Sequence, residues 1–394
     1  MRSSLREIAG LFLRLGATAF GGPAAHIGIM EHEVVRRRGW LTHQELLDLL
    51  AVTNLIPGPN STEMAIHIGH RRGGWPGLVV AGTCFVVPAF LIVLGLAWLY
   101  VRYSHVPAAE HVLRGVMPVV IAIIAQALWR LGRSAVKTPL LGVLGLAAAA
   151  ANVLGAHELI VLGAAGVVMG IAGVAQRWKS RVLPLLGFTP IWSAWMKGSS
   201  TAGKLTLAAG ALPSVMIDSS ATPGVWPLFL FFLKVGAVLY GSGYVLLAFL
   251  RADLVERWKW LTETQLLDAV AIGQVTPGPL FTTATFIGYL LGGVSGAVLS
   301  TLAIFLPAFV FVAISAPFVP RLRRSAVAAS LLDGLNVGSL ALMGVVTWYL
   351  GRTALVDVKS ILIALAALLL LLRFQINSTW LVAAGAAAGW VLYR

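Results

Sequence analysis

The chain is short of charge, shorter still of acid, and almost free of cysteine. Charged residues make up 11% of its 394 positions, whereas soluble domains carry about 25%. A soluble fold with so little charge could not cover its own surface. That excludes an ordinary cytosolic enzyme, and 58% apolar residues with a mean hydropathy of +0.88 exclude a disordered chain. One cysteine, Cys84, excludes disulfides and cysteine-based metal sites within one chain. No Walker loop and no glycine-rich dinucleotide loop occurs, so nothing suggests ATP drive or a bound cofactor. Acid is scarce, with 15 Asp+Glu against 29 Lys+Arg and a formal charge of +14. On a soluble protein that excess would suggest nucleic acid. On a chain this apolar the reading is basic loops beside a lipid bilayer, with no nucleic-acid partner.

What is abundant is long apolar runs. A helix needs about 20 mainly apolar residues to cross the hydrocarbon. Runs at 8–29, 75–101, 108–129, 138–155, 157–176, 226–250, 294–319, 325–350, 358–373 and 378–393 meet or approach that length. Their continuity excludes a β-barrel, whose strands alternate polar and apolar. The fold class is all-α and polytopic. Two regions are too short to cross: 43–56 and 60–70 flank Pro57-Gly58-Pro59, and 263–276 and 280–290 flank Pro277-Gly278-Pro279. Proline stops a helix, and broken backbone at membrane depth survives only where it is packed in protein or lines a wet cavity. These read as re-entrant hairpins or half-helices.

The chain also repeats itself. At one constant offset Phe12-Leu13-Arg14-Leu15-Gly16-Ala17 meets Phe232-Leu233-Lys234-Val235-Gly236-Ala237, Trp40-Leu41-Thr42 meets Trp260-Leu261-Thr262, and the two Pro-Gly-Pro motifs coincide. One residue is then dropped, and Pro88-Ala89-Phe90 meets Pro307-Ala308-Phe309. The predicted organisation is a first membrane unit at 1–176, a basic linker at 177–225 lying on the surface, and a second unit at 226–394. The basic start Arg2 to Arg6 resembles a signal peptide, but its recurrence in mid-chain argues for a retained first helix. Five spans per unit would invert the second unit. Arg36, Arg37, Arg38, Arg71, Arg72, Arg130, Arg133 and Lys137 then mark one face, with Arg321, Arg323 and Arg324 joining it from the other unit. With a cytoplasmic linker, the N-terminus would lie outside.

Inverted units with proline-broken segments at matching places are the pattern of a secondary transporter, whose site lies near the midplane between the repeats. Half-helix N-termini there suit an anion. Asn60, Ser61 and Thr62 follow one break, and Thr282 and Thr283 follow the other. Such residues either donate to an oxyanion or merely cap the helix. Asn54 and Gln274 align upstream, as cavity lining or as helix-to-helix bonds. Arg14 and Lys234 align within apolar runs, either attracting substrate or snorkelling to the interface. Asp48 and Asp268 align as their ion-pair partners. The first helix of each unit breaks at Gly21-Gly22-Pro23 and Gly241-Ser242-Gly243, allowing close backbone approach or tight packing. His26 and Glu63 occur in unit one only, with Glu63 the candidate proton carrier. Glu63, His67 and His70 share a helical face, which would permit an intramembrane metal-dependent enzyme. No repeat partner supports that alternative, and no metal or catalytic residue is predicted.

These motifs resemble the chromate ion transporter family in its long two-unit form. The likeness rests on Phe20-Gly21-Gly22-Pro23-Ala24-Ala25-His26-Ile27-Gly28, Gly39-Trp40-Leu41 and Pro57-Gly58-Pro59-Asn60-Ser61-Thr62. In unit two it rests on Tyr240-Gly241-Ser242-Gly243-Tyr244 and Pro277-Gly278-Pro279 with Thr282. Family members more often read Phe-Gly-Gly-Gly at the second site. The resemblance implies a multi-pass inner-membrane carrier that exports chromate, driven by the proton gradient or membrane potential. Its partners would be the oxyanion, protons and lipid. Sulfate or another anion is the alternative cargo, and a homodimer is an open option.

Overall fold

In the computed structural model, residues 5–20, 22–54, 56–103, 107–182, 224–240, 243–316, 326–374, 376 and 378–393 are described. Gly21, Gly241, the linker beyond Val182 and the Arg321–Arg324 cluster lie outside the described residues. Unit one comprises α1 (Leu5–Thr18), α2 (Gly22–Glu31) continuing as a π-helical turn (His32–Arg37), α3 (His43–Thr53), α4 (Asn60–Tyr103), α5 (Pro107–Ala135), α6 (Pro139–Val153) and α7 (Glu158–Val182). Unit two comprises α8 (Val225–Val238), α9 (Leu246–Phe249) with a π-helical turn (Leu250–Arg257), α10 (Glu263–Val275), α11 (Thr283–Ser315), α12 (Ala326–Ala354), α13 (Val358–Phe374) and α14 (Ser378–Leu392).

The same local chemistry builds both units. Thr42 and Thr262 each accept from the backbone three residues on, while Glu45 and Gln265 reach back, so identical capping boxes start α3 and α10. α4 is two helices joined by a sharp reversal at Gly74, whose φ of 63° an L-residue rarely adopts. A Cβ on Gly69 would overlap the Gly77 carbonyl, so the half-helix 60–73 lies back along 75–103. Gly293, Gly288 and Gly296 repeat that arrangement in α11. Each half-helix is therefore re-entrant and each following segment a full span.

The runs 8–29 and 226–250 do not each form one span. α1 is 14 residues long, about 21 Å at 1.5 Å per residue. The chain breaks after it, and α2 with its π turn runs back toward the same face, which brings Arg14 within 2.6 Å of Glu33. Lys234 and Asp253 meet at 2.8 Å in the same way in unit two. Hydropathy reports the environment of a segment and not its direction, so two short apolar helices on either side of a break read as one span. Among the described residues five helices, α4, α5, α7, α11 and α12, are long and apolar enough to cross a membrane, so the expectation of five full spans in each unit does not hold.

The inversion holds on other grounds. Gly132, Leu128 and Ile121 of α5 face Leu340, Gly344 and Gly351 of α12 in opposite chain order. These helices are repeat counterparts, so a two-fold axis lying across them relates the units. The relation recurs elsewhere. α1 packs on α4 as α8 packs on α11, while α7 and α6 pack on α12 as α14 and α13 pack on α5. The units are interlocked, each final helix pair being clasped by the other unit's central helix. Close approach comes from small residues, the main source of helix association in lipid. A Cβ on Gly16 would strike the Phe85 carbonyl, and one on Gly236 the Ile304 carbonyl.

Leu5 and Ile8 contact Gly73, which places the start of α1 on the face holding 36–38, 71–72 and 133–137, hereafter the basic face. The N-terminal end therefore shares that face and does not lie across from it. α7 runs back toward it, with Gly173 against Ser330, whereas Val225 at the start of α8 meets Gly292 on the opposite face.

Candidate functional site

The broken segments of both units meet at the centre. Gly58 N–H donates to the Leu239 carbonyl at 2.8 Å, and Gly278 N–H donates to the Ala19 carbonyl at 2.9 Å. These bonds are repeat counterparts, so each Pro-Gly-Pro loop is tied to the first break of the other unit. The φ values of Gly58 (135°) and Gly278 (89°) are open to glycine and strained for other residues. Proline on either side removes competing donors, leaving the glycine N–H as the one that crosses.

A cavity of about 760 Å³ runs from the basic face to this centre. At its mouth stand Arg130, Lys137 and Asp333, with Lys137 and Asp333 paired at 2.7 Å. Gln126, Asn336 and Ser339 line its walls, and Phe20, Pro23, Asn54 and Asn60 line its end. Asn60 is the first residue of the half-helix 60–73, so the positive end of that helix points at the cavity. Its Nδ2 donates to Asn54 Oδ1 at 2.8 Å. That leaves Asn54 Nδ2, with two N–H groups, as a donor toward the cavity. Pro59 accepts from the Thr62 and Glu63 N–H groups at 2.8 and 3.0 Å, closing the first turn.

The predicted residues divide into three groups. Asn54, Asn60 and Pro23 line the cavity together. Ser61, Thr62 and Glu63 are buried just behind it, and neither Glu63 oxygen nor Thr62 Oγ1 has a partner among the described residues. His26 Nε2 sits 3.0 Å from the Ala19 carbonyl that also receives Gly278. Gly22 begins α2 beside this break. The cations fall elsewhere. Arg14 is held by Glu33, which also takes Arg37 at 3.2 Å and Arg38 at 3.4 Å. Lys234 shares Asp253 with Arg257. Neither cation lines the cavity, and their partners are Glu33 and Asp253 in place of Asp48 and Asp268. Asp48 Oδ1 accepts from Gln44 Nε2 at 3.0 Å, and Asp268 Oδ2 accepts the Tyr100 hydroxyl at 2.7 Å.

Glu33 and Asp253 align at the repeat offset, so comparing acids across the units had the signal to find them. Arg130, Gln126, Asn336 and Ser339 carry no such signal, since Tyr349, Val345, Met117 and Val120 occupy the matching positions. Among the described residues no three His, Cys, Asp or Glu side chains gather as a metal site. His70 packs on Trp75 and stands apart from a shared ligand set with Glu63 and His67.

The counterpart route in unit two is shallower, a cavity of about 390 Å³ lined by Val345, Val346 and Tyr349 that does not reach the Pro-Gly-Pro break. Leu280 and Phe281 occupy the places of Asn60 and Ser61 and are buried, as is Gln274. Thr282 and Thr283 hydroxyls donate to the Pro279 and Leu280 carbonyls, both at 2.8 Å. Where Arg130 lines the open cavity, Tyr349 stands with the Arg251 guanidinium 4.0 Å above its ring, and Arg251 Nε donates to Glu263 at 2.8 Å.

Comparison with known proteins follows the same two-unit division. The family model described as Chromate transporter matches residues 6–171 and again 226–390. The chain is 33% identical over 391 residues to a chromate transport protein of Cupriavidus metallidurans, covering 98% of this chain and 92% of that one. It is 30% identical over 400 residues to a chromate transport protein of Pseudomonas aeruginosa, covering 99% and 93%. A probable chromate transport protein of Synechococcus elongatus is 30% identical over 373 residues, covering 93% and 89%. No solved structure matches. The chain belongs to the chromate transporter family, as a multi-pass helical membrane protein carrying the family's unit twice.

Proposed function

We propose that this chain exports chromate, a divalent tetrahedral oxyanion, by exposing one central site alternately to the two faces of the inner membrane. The observation that carries the reading is the polarity of the central cavity. It opens on one face, passes Arg130, and ends at the positive end of a half-helix beside the amides of Asn54 and Asn60. That set supplies hydrogen-bond donors and partial positive charge without a fully buried cation, which suits an anion that must also leave. Arg14 and Lys234 fit this account as latches of the two hairpins. The closed counterpart route in unit two would open when the units exchange conformations.

The basic face reads as cytoplasmic, so the cavity is open to the side from which export loads. The potential then decides direction. Moving two negative charges outward through an inside-negative potential yields about 4.6 kcal/mol per 100 mV, roughly three powers of ten in concentration ratio. Uptake would have to oppose that drive. Sulfate shares the shape and charge and is the natural competitor.

The test is chromate flux in proteoliposomes with Asn60→Asp, which places a carboxylate at the positive helix end. Flux should fall about tenfold or more, as removal of a charge-matched contact does, while Asn60→Ser keeps most of it. Wild-type flux in Asn60→Asp would overturn this placement of the site.

A further inference from the structure

A second cavity, of about 650 Å³, lies at the other ends of α5 and α12, toward the opposite face. Asp268 of α10 lines it, although its side chain is only 1% exposed. Asp268 Oδ2 accepts the Tyr100 hydroxyl at 2.7 Å, while Oδ1 has no partner among the described residues. The Tyr100 ring packs edge-on against Phe286, with centroids 5.1 Å apart, which fixes the hydroxyl in place. The counterpart Asp48 is partly exposed on the basic face and accepts from Gln44 Nε2 at 3.0 Å. The aligned carboxylates therefore meet different surroundings in the two units. Buried acids in membrane proteins are costly and are kept where they act.

We propose that Asp268, oriented by Tyr100, is the coupling-proton site of this transporter, loaded from the face opposite the oxyanion cavity. The inference rests on the transport reading above. A proton from cavity water bonds to Oδ1, and the acid becomes neutral while Tyr100 keeps its hydrogen bond. One carboxylate cannot supply the six or more oxygen ligands a calcium ion takes. The other titratable groups around the cavity are committed elsewhere. Glu110 and Arg114 of α5 pair at 3.8 Å, and Asp357 before α13 accepts from the Tyr393 hydroxyl and the Ser360 N–H at 2.8 and 2.6 Å. Glu63 lines neither cavity, so in this conformation it has no comparable access to water. Oxyanion and proton sites open to opposite faces at once, which is the arrangement for exchanging one for the other.

The test is Asp268→Asn in proteoliposomes. Chromate–chromate exchange should persist, while accumulation driven by an imposed pH gradient falls about tenfold or more. Tyr100→Phe should keep exchange and move the pH midpoint of gradient-driven transport upward, because the ionised acid loses a donor. Undiminished gradient-driven accumulation in Asp268→Asn overturns the proposal, and so does loss of exchange together with accumulation in folded protein. If Asp268→Asn does not fold, an unshifted midpoint in Tyr100→Phe overturns it. If the wild type carries no chromate, the transport reading fails by itself. Proton binding is then decided by infrared spectra of the purified protein: a titrating carboxyl band missing from Asp268→Asn upholds the site, and its absence from the wild type overturns it.

Discussion

At the residue scale, the most informative side chains are the acids, because the chain has so few. Glu33 is nearly buried and holds Arg14, Arg37 and Arg38, so removing its charge leaves three cations competing without an anion. Glu33→Gln should destabilise the protein by about 1–2 kcal/mol, since the arginines it holds are partly solvated and each such pair contributes up to about 1 kcal/mol. Arg14→Gln should cost less, because that side chain is 46% exposed. Thermal unfolding in detergent checks the order, and a larger loss for Arg14→Gln would contradict it. Asp357 gives a pH signature. The Ser360 backbone N–H and the Tyr393 hydroxyl hold its carboxyl below the usual carboxylate range. Its stabilisation is therefore present above that range and lost as pH falls through the lowered value. The stability gap between wild type and Asp357→Asn should close on acidification, and a gap that stays constant would refute the assignment.

At the element scale, the governing feature is that helices stop half-way and turn back. The Pro-Gly-Pro breaks were legible because proline forbids helix continuation whatever the surroundings. The breaks after α1 and α8 were visible as glycines, but the flanking apolar residues run on without a polar turn, and two half-helices looked like one span. The cavity was half legible. Asn54 and Asn60 stood out because they flank a break, whereas Arg130 read as an ordinary loop charge until the fold turned it toward the cavity. Cross-unit packing decided that, and no local pattern encodes it. The α1–α4 seam makes its own prediction. Gly16→Val should destabilise by about 2 kcal/mol or more, since the branched side chain meets backbone that cannot yield. A wild-type unfolding midpoint would contradict the packing.

At the scale of the whole molecule, the two-fold relation and its breaking belong together. The interlocked framework is symmetric, while the routes to its centre are not. One is open past Arg130 to the centre, and its mate is a shallower cavity of about 390 Å³ beside Arg251 and Tyr349 that stops short of the buried Leu280 and Phe281. A framework that packs equally well in either sense, caught in one of them, is what alternating access requires. Locking the open mouth should therefore arrest it. With Cys84 replaced by serine, a cysteine pair at Lys137 and Asp333, whose side-chain tips meet at 2.7 Å, should be bridged by a reducible bis-methanethiosulfonate reagent, which spans the gap that a direct disulfide does not. Transport should stop, and reductant should restore it. Continued transport in the cross-linked protein would show that the mouth does not have to move.

The most direct measurement is chromate accumulation by the purified protein in proteoliposomes under an imposed membrane potential, with sulfate and phosphate as competitors. The account predicts potential-dependent accumulation on the positive side, competed by sulfate and reduced about tenfold or more by Asn60→Asp. Chromate distribution that ignores the potential, or that is the same in protein-free liposomes, would contradict it.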